Sequence, residues 1–466
     1  MIALTLTEIV GIVEGRTVRP TADLLIDGSV QTDSRLATEG SIFFALPGEE
    51  TDGHLFAAAA VTNGAALVIA ERELALEVPV VVVRDGVEAL AALAREVVAR
   101  VRHRGTLTVV AVTGSNGKTT TKNLLRAILS AHGNTVAPDG SFNNHVGAPI
   151  SMLRIDYNTR YLVVEMGASH AGEIAHLVSI ARPDVGVVLK VGLAHVGEFG
   201  GIDAIQRAKS EMVTDLPSTA TAILNADDAR VREMSALTRA EVRWFGRTAA
   251  ADVHAENVLA TATGTEFDLV TSTGRLPVRL RILGEHHVMN ALAALTVAQE
   301  LGLSLASAVA AIEAMPRAER WRMELLTAPS GATIINDAYN ASPDSMAAAL
   351  ATLAGVSSDD ARAIAVLGEM TELGDASDEH HAAVGRIAAE LGVDELIVVG
   401  ERARAIHTAA DAETTWLGRS RWVETPEQAH ALLAEHLGAG DVVLVKSSKS
   451  SNLRFLGDRL AEVPQS

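Results

Sequence analysis

Eight consecutive residues, Thr113-Gly114-Ser115-Asn116-Gly117-Lys118-Thr119-Thr120, have the types and spacing that grip a phosphate. The apolar run Leu107-Thr108-Val109-Val110-Ala111-Val112 precedes them, and Leu124, Leu125, Ile128 and Leu129 follow at helical spacing. A strand, a glycine-rich turn and a helix start converge backbone N–H groups on an anion, with the helix dipole favouring negative charge. In such a cradle Lys118 reaches the terminal phosphates and the Thr119 hydroxyl can hold Mg²⁺. Val112 stands where the general G-x-x-x-x-G-K-S/T pattern has its first glycine. A Gly-Lys-Thr after an arbitrary strand marks an ordinary turn. Here strand, glycines, lysine, hydroxyl and helix coincide, and the reading is nucleotide binding.

The elements that must position this loop are α/β elements. At 466 residues the chain exceeds one typical domain, and its length predicts about three. Its hydrophobic content is 48% but only 3% is aromatic, so the core is built from Ala, Val, Leu and Ile, as buried parallel strands require. A net charge of −19 argues against a general nucleic-acid or membrane-surface role. Anionic ligands must then be met by local devices: helix N-termini, lysines and metal ions. With no cysteine, disulfides, zinc-thiolate sites and cysteine nucleophiles are excluded. The N-terminus lacks the basic flank of a signal peptide, and no apolar run approaches the roughly 20 residues that span a bilayer. A soluble cytoplasmic protein is expected, without integral membrane contact.

Strand-like and helix-like runs alternate almost throughout. The first block, 1–103, contains Ser41–Leu46, Ala66–Ile69 and Val80–Val83. It ends in a helix whose Arg95, Arg100, Arg102 and Arg104 are either an anion patch or a solvated face near a helix C-terminus; the second reading is preferred. The second block, 104–316, starts at the phosphate loop and continues with strands at Leu162–Glu165, Val185–Leu189 and Ala222–Asn225. Short alternating segments between 251 and 283 predict an antiparallel hairpin or meander, followed by a helix from His287 to Leu301. The third block, 317–466, has strands at Thr333–Ile335, Ala363–Leu367, Leu396–Val399 and Val442–Val445. The fold class expected is α/β in three domains: a central P-loop-type, mostly parallel sheet between an N-terminal α/β domain and a C-terminal Rossmann-like domain.

The loop Thr113–Thr120 closely resembles the phosphate loop of the Mur ligases, which build the peptide stem of bacterial cell-wall precursors by ATP-driven amide formation. Four more stretches are similar to the last ligase of that series: Asn143–Pro149, Glu165–Ile174, Asp337–Met346 and Leu367–Gly374. Asp33-Ser34-Arg35, Leu46-Pro47-Gly48 and Asp52-Gly53-His54 look like that enzyme's UDP-binding segment. The resemblance spans all three blocks in order. It implies a UDP-recognising first domain, a central ATPase domain and a third domain receiving the incoming amino compound. The implied substrates are UDP-N-acetylmuramoyl-tripeptide and D-alanyl-D-alanine, with ATP and Mg²⁺ as cofactors, no nucleic acid, and a monomer.

The resemblance carries over residue by residue. Thr113, Gly114, Ser115, Asn116, Gly117, Lys118, Thr119 and Thr120 would cradle ATP. Glu165 ends an apolar strand, where α/β sheets present acidic metal ligands; taken alone it is equally a solvated carboxylate, and the family puts Mg²⁺ on it. A lone histidine such as His195 is more often a satisfied polar residue, whereas the family places it on a second Mg²⁺. Lys209 reads alone as a surface lysine; in some Mur ligases its counterpart is carbamylated, turning a cation into a metal-binding carboxylate. Asn290 would meet the adenine edge and Asp337 the ribose. His287 stands where the family often has Asn. Ser34, Arg35, Asn143 and Asn144 would face the UDP-linked substrate, and Asn340, Ser345, Lys446 and Lys449 the dipeptide. The family commonly reads Lys-Gly-Ser-Arg-Ser where this chain has Lys446-Ser447-Ser448-Lys449-Ser450. Lys449 thus replaces a planar fork with a point charge.

Three other functions compete. A third-residue-adding ligase using diaminopimelate would carry Asp-Asn-Pro-Arg, which is absent. Folylpolyglutamate synthase usually has Gly-Lys-Gly-Ser at the loop. A regulatory P-loop ATPase would need neither the Asn143-Asn144 loop nor a third α/β block.

Overall fold

Buried Val, Ile and Leu runs become the parallel strands of three sheets, and the amphipathic runs between them become covering helices. The computed structural model describes residues 1–18, 23–48, 51–194, 196–261, 264–315, 319–357 and 361–463. His195 and the expected boundary at 316/317 lie outside the described residues.

The central sheet has nine strands. Along it lie Gly274–Leu280, Gly264–Thr271, Val253–Thr261, Glu241–Gly246, Thr221–Asn225, Val185–Val188, Thr108–Thr113, Tyr161–Glu165 and Thr135–Val136. Six pair in parallel, and Val253–Thr261 joins them in parallel before the chain turns into an antiparallel meander. The strand Thr108–Thr113 is the hinge of this topology. The chain leaves it for Thr135–Val136 and Tyr161–Glu165 on one side, then crosses to Val185–Val188 on the other. Such a switch leaves a crevice at the strands' C-terminal ends, and Thr113–Lys118 occupies it.

The helix Lys118–Ser130 is seated by Leu124, Leu125, Ile128 and Leu129, all fully buried. Each contributes roughly 2 kcal/mol of transfer free energy, so the orientation of its first turn is firmly set. The alanine-rich helix His286–Glu300 shares that core.

The N-terminal sheet orders Arg16–Thr17, Val80–Val82, Ala65–Ala70, Ser41–Ala45 and Val30–Gln31, all parallel save the first pair. Its closing helix, Gly86–Arg104, is capped by Asp85 and buries Leu90, Leu93, Val97 and Val101 in one core with Val109, Leu162 and Ile174. Two of its arginines are paired rather than simply solvated: Arg100 with Glu8 and Glu96 at 2.7 Å, and Arg102 with Asp184 at 2.7 Å. They tie the first domain to itself and to the second.

The C-terminal sheet runs Glu324–Thr327, Thr333–Asn336, Val442–Lys446, Ala363–Leu367, Glu395–Val399 and Arg419–Val423. Only its first strand is antiparallel. Among the described residues no helix is long and apolar enough to cross a membrane.

Candidate active site

A cavity of about 550 Å³ lies between the central and C-terminal domains. Its floor is Ser115–Thr120, Glu165 and the start of helix His286–Glu300; Arg322, Asp337, Asn340, Ser345 and Lys446 come from the C-terminal side.

The floor is formed by backbone geometry first. Gly117 has φ +87° and precedes the helix with no side chain capping it, so the first-turn N–H groups face the cavity end. A Cβ at Gly117 would collide with Asn290 Oδ1, which makes glycine the residue this close approach needs. Thr113 is buried, its hydroxyl donating to Met166 O at 2.8 Å, and it does not line the cavity. Ser115 Oγ donates to Gly192 O at 3.1 Å and accepts from Gly192 N at 2.9 Å, strapping the loop to the next crossover. Lys118 folds back onto its own loop, with Nζ 2.6 Å from Gly114 O. Burial lowers its pKa most, the Glu165 carboxylate raises it, and the Arg322 charge lowers it.

Glu165 is 1% exposed. Its Oε1 accepts from Thr119 Oγ1 at 3.2 Å and from Asn143 Nδ2 at 2.9 Å, while its Oε2 is buried with no partner. An orphaned carboxylate oxygen beside a hydroxyl is a costly arrangement unless a ligand completes it. All the donors are oxygen, which suits Mg²⁺. The residues therefore fit a hard cation held through Thr119 and Glu165. Among the described residues no group of three or more His, Asp or Glu is arranged to hold a metal alone.

The start of helix His286–Glu300 carries a second orphan. Asn290 Nδ2 donates to His287 Nδ1 at 3.1 Å, and Thr121 Oγ1 donates to Asn290 Oδ1 at 3.4 Å. With Nδ1 accepting, the neutral His287 ring carries its proton on Nε2, which is buried and unpartnered. Burial pushes His287 well below its ordinary value, so its ring is neutral at physiological pH.

Lys209, on helix Ile202–Thr214, is not a surface lysine: it is 2% exposed, with Nζ 5.8 Å from the Phe199 ring centroid. Burial and the Lys118 charge lower its pKa to about 7, against the opposing pull of Glu211 and Glu173. A substantial share of the amine is thus neutral and nucleophilic near neutrality.

On the C-terminal wall Lys446, Asp337, Ser342 and Ser345 satisfy one another, while Arg322 Nε is buried without a partner. Lys446 Nζ sits 2.5 Å from Asp337 Oδ2 and 3.0 Å from Asn340 O. Asp337 Oδ1 accepts from Met323 N at 3.0 Å. Ser345 closes a capping box with Ser342 at the start of helix Pro343–Val356. The Ser342 hydroxyl lies 3.5 Å from Asn116 Oδ1, and Asp344 Oδ2 accepts from Leu193 N at 3.1 Å. These contacts dock the third domain on the phosphate loop. Ser447 is tolerated where the family has glycine because the residue facing it is Gly368.

The remaining expected residues lie apart. Lys449 is exposed, its Nζ 5.9 Å from the Tyr339 ring centroid, and it does not line the cavity. Ser34 and Arg35 belong to the N-terminal domain; Arg35 is exposed and forked onto Asp33, with Nη2–Oδ2 2.6 Å. Asn144 lines the cavity yet spends its Oδ1 on Gly147 N at 2.8 Å.

Arg322 escaped the sequence reading. Its guanidinium lies 4.4 Å over the Tyr339 ring and its Nη2 reaches Ser141 Oγ at 3.3 Å. The flanking Trp321 and Met323 have φ +58° and +49°, a left-handed conformation that costs of order 1 kcal/mol each. Distant partners hold it: Asp458 accepts from Trp321 Nε1 at 3.0 Å and from Arg320 Nη2 at 2.9 Å. The detectable signal was the basic-aromatic run Arg320-Trp321-Arg322 at a domain junction.

A phosphate cradle at the switch point of one sheet, walled by a second, defines a three-domain α/β protein built round a nucleotide cavity. Residues 112–298 match the Mur ligase middle domain, 321–449 the Mur ligase glutamate ligase domain, and 28–108 the Mur ligase family catalytic domain. The chain is 41% identical to a UDP-N-acetylmuramoyl-tripeptide--D-alanyl-D-alanine ligase of Mycobacterium tuberculosis (strain H37Rv), covering 99% of this chain and 98% of that protein. Its structure is similar to MurF from Acinetobacter baumannii, with TM-score 0.88, 33% identity and 99% of both chains covered. It is also similar to a MurF ligase of Thermotoga maritima in complex with ADP, with TM-score 0.80, 29% identity, and 93% and 97% of the two chains covered. The chain belongs to the Mur ligase family.

Proposed function

We propose that this chain is an ADP-forming ligase that joins D-alanyl-D-alanine to UDP-N-acetylmuramoyl-tripeptide in peptidoglycan precursor synthesis. The full-length likeness to the mycobacterial ligase carries this reading. The cavity supports it, since it brings a phosphate loop against a domain that can deliver an amine.

A carboxylate does not react with an amine at neutral pH and must first be activated. Its oxygen attacks the γ-phosphorus of ATP, the bond to ADP breaks, and an acyl phosphate forms. The free amine then attacks the acyl carbon, the tetrahedral intermediate collapses, and inorganic phosphate leaves as the amine proton is lost. Most of the catalysis is charge neutralisation and positioning. Lys118 and Arg322 line the cavity and are assigned to neutralise the developing phosphoryl charge. Thr119 and Glu165 would hold Mg²⁺, which supplies Lewis-acid stabilisation of the transferring group. Asn290 and His287 are assigned to a base, to which they offer polar edges, and Asp337 is assigned to the ribose. Lys209 is assigned as the carbamylation candidate: its neutral amine can add CO₂ with release of a proton. Ser34, Arg35, Asn143 and Asn144 are assigned to the UDP-linked substrate, and Asn340, Ser345, Lys446 and Lys449 to the dipeptide. His195 keeps its family assignment to a second metal. The domains are taken as 1–103, 104–316 and 317–466. A nucleotide-linked substrate puts the reaction in the cytoplasm, and one polypeptide supplies every group invoked, so a monomer suffices.

The test is phosphate release. With Mg²⁺ and ATP, the expected release requires both UDP-N-acetylmuramoyl-tripeptide and D-alanyl-D-alanine, and the amide product appears in equal amount. Release with neither substrate, or with glutamate and a folate, overturns the assignment.

A further inference from the structure

Lys122 lies one helical turn beyond Lys118 and has no exposed surface at all. Burying an ammonium is costly, and a leucine or methionine could fill the same space without that cost. Its bonds show what the charge achieves. Nζ donates to Pro138 O and to Gly140 O, each at 2.9 Å, and lies 3.9 Å from Glu319 Oε2. Burial lowers its pKa while Glu165 and Glu319 raise it. Glu319 is itself held by Asn123 Nδ2 at 2.9 Å, so the ammonium sits where helix, loop and the entry to the third domain meet.

The two carbonyls belong to a turn whose Gly140 has φ +59°. The residues immediately after it reach the proposed metal oxygens. Ser141 Oγ is 3.2 Å from Thr119 Oγ1 and accepts from Arg322 Nη2. Asn143 Nδ2 donates to Glu165 Oε1 at 2.9 Å, and Asn143 O accepts from Gly167 N at 2.8 Å. The outer side of the turn has its own support, with Asp139 paired to Arg154 at 2.7 Å and to Arg126 at 3.6 Å. The turn's attachment to the protein therefore does not depend on Lys122 alone; its inward setting does.

We propose that Lys122 is a positioning residue for phosphoryl transfer: its buried ammonium fixes the turn 138–140 so that Ser141 and Asn143 orient Thr119 and Glu165 toward Mg²⁺-nucleotide. The inference rests on the ligase reading above. Groups that orient metal ligands are worth roughly 10- to 100-fold in metal affinity or activity, and a residue acting one step further out falls at the lower end.

ADP binding, followed by calorimetry with Mg²⁺ and again with a chelator, separates this role from simple stabilisation. Wild-type protein is expected to bind ADP more tightly with Mg²⁺. Lys122→Met is expected to lose about tenfold of that enhancement while binding ADP in chelator as wild type does. Combined with Asn143→Ala, Lys122→Met is expected to add nothing further, because both act on Glu165 through one loop. An unchanged Mg²⁺ enhancement in Lys122→Met, an equal loss in chelator, or full additivity with Asn143→Ala overturns the proposal. If Lys122→Met does not fold, Lys122→Gln is measured the same way, and a wild-type enhancement there is equally fatal. Absence of any Mg²⁺ enhancement in the wild type would instead bring down the ligase reading, and this inference with it.

Discussion

The floor of the cavity and the Lys446–Asp337 part of its C-terminal wall use buried polar groups in opposite ways. On the floor, Glu165 Oε2 and His287 Nε2 are out of water and bonded to nothing. On the wall, Lys446 and Asp337 neutralise each other, and Ser342 and Ser345 cap each other. An unsatisfied buried group costs about 1–3 kcal/mol, recovered when a ligand supplies the missing partner. The floor is thus set for its ligand in advance, whereas the wall must exchange internal bonds for ligand bonds. Nucleotide affinity should therefore depend on floor residues without loss of fold. Wall residues should affect stability and binding together.

Lys118→Ala tests the floor most severely. Turnover is expected to fall at least about a thousandfold, with the melting temperature little changed, because the Lys118 ammonium bonds only to carbonyls of its own phosphate loop. Retained turnover would remove Lys118 from the mechanism. Glu165→Gln keeps shape and removes charge; a loss of about 100-fold in rate and a raised Mg²⁺ requirement are expected from titrating the metal. An unaltered Mg²⁺ requirement would erase the contrast, since the orphan oxygen would then have no ligand to serve.

The wall responds differently. Asp337→Ala leaves Lys446 buried beside a lost partner, and about 3 kcal/mol of stability should disappear in denaturant melts. A variant as stable as wild type would show the pair to be incidental.

Lys209 predicts a pH effect of known sign. Its folded pKa of about 7 lies below the ordinary 10.5, so between those values the unfolded chain holds a proton that the folded chain has lost. Stability gains from this group as pH rises through that window, by up to about 1.4 kcal/mol per unit, and its contribution is flat below it. Lys209→Met should flatten the slope in denaturant midpoints taken between about pH 7 and about pH 9. Equal slopes would mean that Lys209 is not desolvated in solution. Smallest of all, Lys449→Ala should shift stability by less than about 0.5 kcal/mol, as an exposed residue does. A rise in the KM for D-alanyl-D-alanine without any such shift would show that Lys449 moves in to meet the dipeptide.

Fold and site were unequally legible. Val185–Val188 and Ala363–Leu367 could be read because strands buried on both faces have a short apolar signature. Glu241–Gly246 and Arg419–Val423 were missed because they are partly exposed and interleave charge with Trp. The phosphate loop was readable because its chemistry is contiguous in the chain. Arg322 was not, since its presentation depends on Asp458, 136 residues away, holding Arg320. Lys209 read alone as a surface lysine, and Lys122 was not singled out; nothing in a helical run reports that its polar face will be roofed by another segment.

The sequence by itself determined the order of strands and helices, the phosphate-gripping turn and its lysine, because those follow from local periodicity and from residues adjacent in the chain. Only the tertiary structure decided which charges are buried, which oxygens and nitrogens go unpaired, and that the lysine one turn after Lys118 holds a loop. Burial and pairing depend on segments distant in sequence arriving at one place, and desolvation then rewrites the chemistry of each group.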